Sequence, residues 1–369
     1  MSLLNIDSLS IEEKIGQLFF IGIPTDRVDD VTRELLSSVR PGGICLFARN
    51  IRDAEQTRAL IDDLRATSAV VPFLSIDQEG GLVDRLRRIL GPLPAASKID
   101  TKELAAQHAI IIAQAIRSLG LNMNFAPVVD VITTERAQVS NGLYSRGFGA
   151  SREDVVELAG EFLDTLASNG VMGCLKHFPG LGASRVDSHE QLPSVAITKD
   201  EFESVDLYPY RSLINKVDTA SVMVAHAAFP DLDLQETDRD GRLLPASLSF
   251  NFVTKLLREE LGYDGLVLTD DLEMGAIVNN YGIGEACVLA IEAGEDMVAI
   301  CAGVDSIRDG FAALLAAVES CRISEERIDV SLSRIDRAKS RLESPDDFDP
   351  QRIARLVDEV AQLNSSLNI

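Results

Sequence analysis

Val171-Met172-Gly173-Cys174-Leu175-Lys176-His177-Phe178-Pro179-Gly180-Leu181-Gly182, followed shortly by Asp187-Ser188-His189, is the stretch whose reading decides the fold. Apolar residues run as far as Leu175, a lysine and a histidine follow at once, and glycines then open a loop. An apolar run too short for a helix reads as a strand buried on both faces. The polar pair thus falls where a buried strand meets a loop. The segment also holds two of the four histidines in 369 residues. An aspartate two positions before a histidine can bind one ring nitrogen and leave the other free for proton transfer. A polar loop with incidental charges is the plain alternative for Asp187 and His189, and Lys176-His177 beside them weighs against it.

The same pattern recurs on either side of this stretch. Strands are predicted over 16–22, 43–47, 73–76, 123–125, 173–175, 222–225, 265–268 and 297–301. Amphipathic helical stretches lie between them, among them 29–39, 53–67, 101–119, 152–168, 250–261 and 282–293. Alternating strand and helix units of this kind predict an α/β fold, a (β/α)8 TIM-type barrel; a doubly wound open sheet is the alternative. The polar residues separate the two. They follow nearly every strand: Asp77-Gln78-Glu79-Gly80-Gly81, then Pro127 and Asp130, Lys176-His177, His226, and Thr269-Asp270-Asp271. A barrel gathers all these ends at one mouth, whereas an open sheet focuses a ligand at one switch point. The even spread selects the barrel.

Two helical stretches, 324–343 and 351–363, flank a polar break over 344–350. The chain is expected to be a single barrel domain over 1–343, with 344–369 as a break and a C-terminal helix packed outside it. Thirty-five basic residues against 58 acidic give a net charge of −23, which excludes phosphate backbones and anionic membranes as natural partners. The five cysteines are scattered singly, and Cys45, Cys174 and Cys301 sit in apolar runs, as suits a reducing compartment. The start lacks a signal-peptide pattern and no run is long enough for a membrane span. A soluble, cytoplasmic protein is expected. No zinc-ligand spacing occurs, and no cofactor is expected; the sequence leaves the oligomeric state open.

Among the strand ends, carboxylates beside the paired glycines at Asp77–Gly81 suit a ligand with several hydroxyls, or cap a helix start. Asp270 on a strand end is placed for nucleophilic or base chemistry, while its neighbour Asp271 suits a cap. Arg146 in Ser145-Arg146-Gly147 reads as a surface residue when taken alone. His108, on a helix among alanines, reads as a satisfied structural histidine, and His226 stays open.

In combination these strings resemble glycoside hydrolase family 3, in its β-N-acetylglucosaminidase branch that trims cell-wall muropeptides. The similarity lies in Lys176-His177-Phe178-Pro179-Gly180 with Asp187-Ser188-His189, in Asp77-Gln78-Glu79-Gly80-Gly81, and in Thr269-Asp270-Asp271-Leu272 followed by Met274. It extends to Ile15-Gly16-Gln17-Leu18, Pro41-Gly42-Gly43-Ile44 and Asn124-Phe125-Ala126-Pro127-Val128-Val129-Asp130, covering the chain to about residue 303. The resemblance implies Asp270 as nucleophile and His189 as acid/base with Asp187 as its partner. It implies Asp77, Arg85, Arg146, Lys176 and His177 as the groups holding the sugar. Two positions depart from the family pattern, Leu82 for an arginine and Leu181 for a histidine. Neither is the nucleophile or the acid/base, so the departures bear on the aglycone.

The implied reaction is exo-acting, retaining hydrolysis of terminal β-linked N-acetylglucosamine through a covalent glycosyl-enzyme, with a small carbohydrate as substrate. A phosphorylase of the same fold, a β-glucosidase, and a non-catalytic sugar-binding barrel are the rivals. A Rossmann-type oxidoreductase lacks its glycine fingerprint here.

Overall fold

In the computed structural model, residues 6–138, 143–184, 192–214 and 219–369 are described. Eight short parallel strands form the centre: β1 (Phe19–Gly22), β2 (Gly43–Leu46), β3 (Phe73–Ile76), β4 (Met123–Asn124), β5 (Cys174–Phe178), β6 (Ser221–Val224), β7 (Leu266–Asp271) and β8 (Met297–Ile300). They pair in the order β4-β3-β2-β1-β8-β7-β6-β5. Bridges Met123–Met172 and Val128–Lys176 join β4 to the β5 side and close the ring. The molecule is the (β/α)8 barrel that the polar strand ends predict.

The strands are apolar and buried because helices cover them outside and side chains fill them within. Phe20 stacks on Phe73 at 5.8 Å and meets Phe125 edge-on at 5.2 Å. Gly43 faces this cluster, where a Cβ would come within 2.4 Å of the Phe20 ring. The principal outer helices are α1 (Asp30–Val39), α2 (Ala54–Thr67), α3 (Lys102–Leu119), α4 (Arg152–Ser168), α5 (Ile283–Ala293), α6 (Val304–Glu319), α7 (Glu325–Lys339) and α8 (Pro350–Ser366). Most start at the caps their sequences supply. Asp29, Asp53, Thr101 and Ser151 each accept a backbone N–H in the first turn.

Four elements differ from the sequence reading. Gly16 ends a helix (Ile11–Gly16) and does not open β1. The stretch 250–261 forms a π-type helix over Asn251–Glu260. Strands β5 and β7 also run further than their apolar cores, to Phe178 and Asp271. The reason is common to both: Lys176 and His177 on β5 and Asp270 and Asp271 on β7 line the cavity, where polarity is tolerated, so an apolar run stops short of the true strand end. Helix α8 packs on α3, on α2 and on the short helix Arg87–Leu90, burying Ile353, Leu356, Val360 and Leu363.

Candidate active site

The C-terminal strand ends surround a cavity of about 290 Å³. Asp77, Arg85, Arg146, Lys176, His177 and Asp270 all line it, although the sequence separates the first and last by most of the barrel. The hairpin formed by Gln78–Gly80 and Val83–Asp84 follows β3 and carries Glu79 inward and Arg85 to the wall. Gly80 and Gly81 have φ of +90° and +59°, the left-handed region that glycine adopts without a Cβ clash.

Lys176 is buried on β5 and its Nζ lies 2.7 Å from both Asp77 Oδ1 and Glu79 Oε1. Arg146 clasps Glu79 with two parallel bonds, Nε to Oε2 and Nη2 to Oε1, each 2.9 Å. Its surface reading is thereby replaced: Arg146 is a wall of the site. Burial alone would raise the Glu79 carboxyl, but Lys176 and Arg146 hold it well below the ordinary carboxylate range. Burial would likewise lower Lys176, and Asp77 and Glu79 push it above its ordinary value. Glu79, Lys176 and Arg146 are therefore held in their ionised forms. His177 Nδ1 lies 2.8 Å from Asp130 Oδ2, and Arg146 Nη2 is 3.5 Å from His177 Nε2. Arginine can only donate, so this geometry assigns the Nδ1–H tautomer, with Nε2 turned towards Arg146.

Asp270 stands across the cavity near the end of β7. Its Oδ1 accepts the Asp271 backbone N–H at 2.8 Å. Burial would raise its carboxyl, but His177, His226 and that N–H together keep it below its ordinary value. It is a carboxylate poised as an anion in a sheltered pocket, as a nucleophile requires. Asp271 does cap, as its sequence suggests: its Oδ1 accepts from Glu273 N at 3.1 Å and Cys301 N at 3.2 Å. Burial raises Asp271 to about 7. His226 is now placed, with Nδ1 2.7 Å from Ser247 Oγ and Nε2 3.1 Å from the Asp271 carbonyl. Its ring backs the segment that holds Asp270.

Arg85 leans over the Phe47 ring at 5.7 Å. The residue lines the cavity, and its Nε is buried with no hydrogen-bond partner among the described residues. The two departures from the family pattern sit apart. Leu82 is 63% exposed, while Leu181 is 5% exposed, and both border the cavity. Asp187 and His189 lie outside the described residues.

Sequence reading missed the roles of Glu79 and Asp130. Both stood inside quoted strings, and the signal was their place at strand ends beside cationic partners. His108 needs correction. It is buried as expected, packed edge-on to Phe162 at 5.7 Å, but neither ring nitrogen has a hydrogen-bond partner among the described residues. Burial lowers it to about 4, so it is a neutral packing element.

Comparison with known proteins agrees with this geometry. The model of the glycosyl hydrolase family 3 N terminal domain matches residues 10–338. Beta-hexosaminidase A of Pseudoalteromonas piscicida is 32% identical over 330 residues, which is 84% of this chain and 55% of that protein. The chain thus spans about half the length of that relative. A beta-hexosaminidase of Neisseria gonorrhoeae (strain NCCP11945) is 32% identical over 298 residues, covering 77% of this chain and 79% of its own length. A solved glycoside hydrolase family 3 beta-N-acetylglucosaminidase from Paenibacillus sp. str. FPU-7 superposes with a TM-score of 0.85 at 37% identity. It covers 96% of this chain and 69% of its own. With the family model matching residues 10–338 and a relative 32% identical over 77% of the chain, this chain belongs to glycosyl hydrolase family 3.

Proposed function

We propose that this protein is a retaining, exo-acting β-N-acetylglucosaminidase that removes terminal N-acetylglucosamine from cell-wall muropeptides or related glycosides in the cytoplasm. The observation that carries this reading is the placement of Asp270. It is an ionised carboxylate across one cavity from Asp77, Lys176, Arg146 and His177. The relatives' printed activities, beta-hexosaminidase and beta-N-acetylglucosaminidase, support the choice of sugar.

In the first step an Asp270 oxygen forms a bond to the anomeric carbon while the bond from that carbon to the aglycone oxygen breaks. His189, as imidazolium, gives its proton to the departing oxygen. In the second step His189 takes a proton from water, the hydroxide oxygen bonds to the anomeric carbon, and Asp270 leaves as a carboxylate. Asp187 orients the imidazole and stabilises its cation, as an aspartate does in a serine-protease triad. Asp77, with the Lys176 and Arg146 cations behind it, receives sugar hydroxyls, and the Arg85 guanidinium donates to them from the cavity wall. Because Asp77, Lys176 and Arg146 are already fixed by mutual hydrogen bonds and by Glu79, they need little reorganisation when the sugar arrives.

The test is release of nitrophenol from the β-N-acetylglucosaminide and from the β-glucoside, with and without phosphate. Wild type is set beside Asp270→Ala and His189→Ala. The reading expects turnover of the acetamido sugar, loss in Asp270→Ala and strong reduction in His189→Ala. Sugar 1-phosphate formed on adding phosphate would make the enzyme a phosphorylase. Equal turnover of the glucoside would remove the acetamido preference. Binding of N-acetylglucosamine without turnover would leave a sugar-binding barrel.

A further inference from the structure

The family match ends at residue 338, and α8 lies beyond it. This helix nonetheless touches the scaffold of the sugar-holding loop. Asn364 Nδ2 donates to the Pro92 carbonyl at 2.8 Å. Pro92 belongs to an irregular strap that follows the helix Arg87–Leu90 and passes directly behind the paired glycines. A Cβ on Gly80 would meet the Pro94 carbonyl at 2.2 Å, and one on Gly81 would meet Ala95 Cβ at 2.6 Å.

The next residue along the strap, Leu93, is bonded to the hairpin in both directions. Leu93 N donates to Asp84 Oδ2 at 2.9 Å, and the Leu93 carbonyl accepts from Gly81 N at 3.0 Å. Asp84 Oδ1 in turn accepts from Gln78 Nε2 at 2.8 Å, and Gln78 Oε1 accepts from Leu86 N at 2.9 Å. Glu79 and Arg85 both lie within the span these bonds enclose. The strap is thus held from inside by the hairpin and from outside by one side chain of α8. Helix α8 is itself seated by its buried apolar face and by contact with Arg87–Leu90.

We propose that Asn364 is a positioning residue for the active site. By fixing Pro92 it holds the strap, and through the strap the Gln78–Arg85 segment, which sets Glu79 against the cavity-lining Lys176 and Arg146 and carries Arg85 to the cavity wall. The proposal rests on the reading of that cavity as a sugar site. A cover for apolar surface alone would place no demand on Asn364, whereas a brace would.

The experiment uses the full chain as wild type, Asn364→Ala and Asn364→Asp. For each, KM and kcat on the nitrophenyl β-N-acetylglucosaminide, inhibition by free N-acetylglucosamine, Tm, and amide exchange at Gly81, Leu86 and Leu93 are measured. With the bond removed in Asn364→Ala, KM and the inhibition constant should rise about fivefold, the size of one ordinary hydrogen bond. Asn364→Asp sets a carboxylate against the Pro92 carbonyl and should exceed that. Because Asp270 and the His189 segment are outside the braced hairpin, kcat should stay within about twofold of wild type, less than one ordinary hydrogen bond would move it. Exchange at Gly81 and Leu93 should quicken while the rest of the barrel keeps its protection. Wild-type KM with a lowered Tm alone would overturn the proposal and leave α8 as a cover. Absence of turnover in wild type would be a failure of the sugar-site reading instead. Exchange would then decide alone, with wild-type protection at Gly81 and Leu93 counting against the brace.

Discussion

At the foot of the barrel Asp296 accepts from Ser331 Oγ at 3.0 Å, Val267 N at 3.0 Å and Arg334 Nη1 at 3.2 Å, and also pairs with Arg258. At the mouth Glu79 is shared in much the same way by Lys176 and Arg146. Both ends bury charge, and both displace titrations. Burial pulls the foot's Lys339 down to about 7 and pushes Glu295 well above the ordinary carboxylate range. The mouth holds Asp270 low and Asp271 high. A displaced pKa therefore does not by itself mark a reaction site. The difference is what the charges border. At the foot Asp296 ties Val267 of β7 to Ser331 and Arg334 of α7 and is fully buried, whereas Asp77, Arg146, Lys176 and Asp270 at the mouth border an open cavity.

The sharpest way to break this contrast is to damage both clusters alike. Glu79→Gln leaves two buried cations without their shared anion, an uncompensated change worth ~3 kcal/mol. It should lower kcat/KM about a hundredfold, since the loss falls on groups facing the substrate. Asp296→Ala is a comparable insult at the foot. It should cost ~3 kcal/mol of stability and lower Tm by several degrees, with kcat/KM at 25 °C unchanged. If Glu79→Gln moved only Tm, or Asp296→Ala moved kcat/KM, the division between mouth and foot would fall.

A smaller effect sharpens the contrast within the mouth itself. Asp271 is raised from its ordinary 3.8 to about 7, chiefly by burial, with the Glu273 and Asp270 charges adding to it. In that window the folded protein binds more protons than the unfolded chain, so stability from this group falls as pH rises. The contribution is complete below about 3.8 and gone above about 7. Asn at 271 keeps the acceptor for Glu273 and Cys301 while staying neutral. Asp271→Asn should therefore match wild type in Tm near pH 4 and exceed it at pH 8. Asp270 has the opposite sign: its lowered pKa gives stability present at neutral pH and lost on acidification. Parallel pH curves for wild type and Asp271→Asn would contradict the assignment.

The barrel was legible because five of the eight apolar runs ended in polar residues spread along the chain, and only a closed ring makes one pocket of such scattered ends. Asp77, Lys176, His177 and Asp270 were legible for the same reason, whereas Arg85 and Arg146 entered only through the family resemblance. What the strings concealed was partnership. Nothing adjacent to Arg146 hints that it will clasp Glu79 from a loop on the far side of β4, and nothing near His177 announces Asp130. Such pairs depend on register between strands, which local pattern does not encode. Strand ends at Lys176 and Asp270 were read too short because cavity-facing polarity resembles the start of a loop. His108 was read as satisfied because a lone histidine on an apolar helix face gives no sign of whether a partner reaches it.

The central claim is that Asp270 attacks the sugar, and trapping tests it most directly. A ring-fluorinated N-acetylglucosaminyl fluoride slows release of a glycosyl-enzyme more than its formation. Peptide mass spectrometry after incubation should find one sugar added per chain, on the peptide bearing Asp270, and none in Asp270→Ala. Turnover of the nitrophenyl substrate with no adduct formed, or an adduct on another residue, would contradict the account.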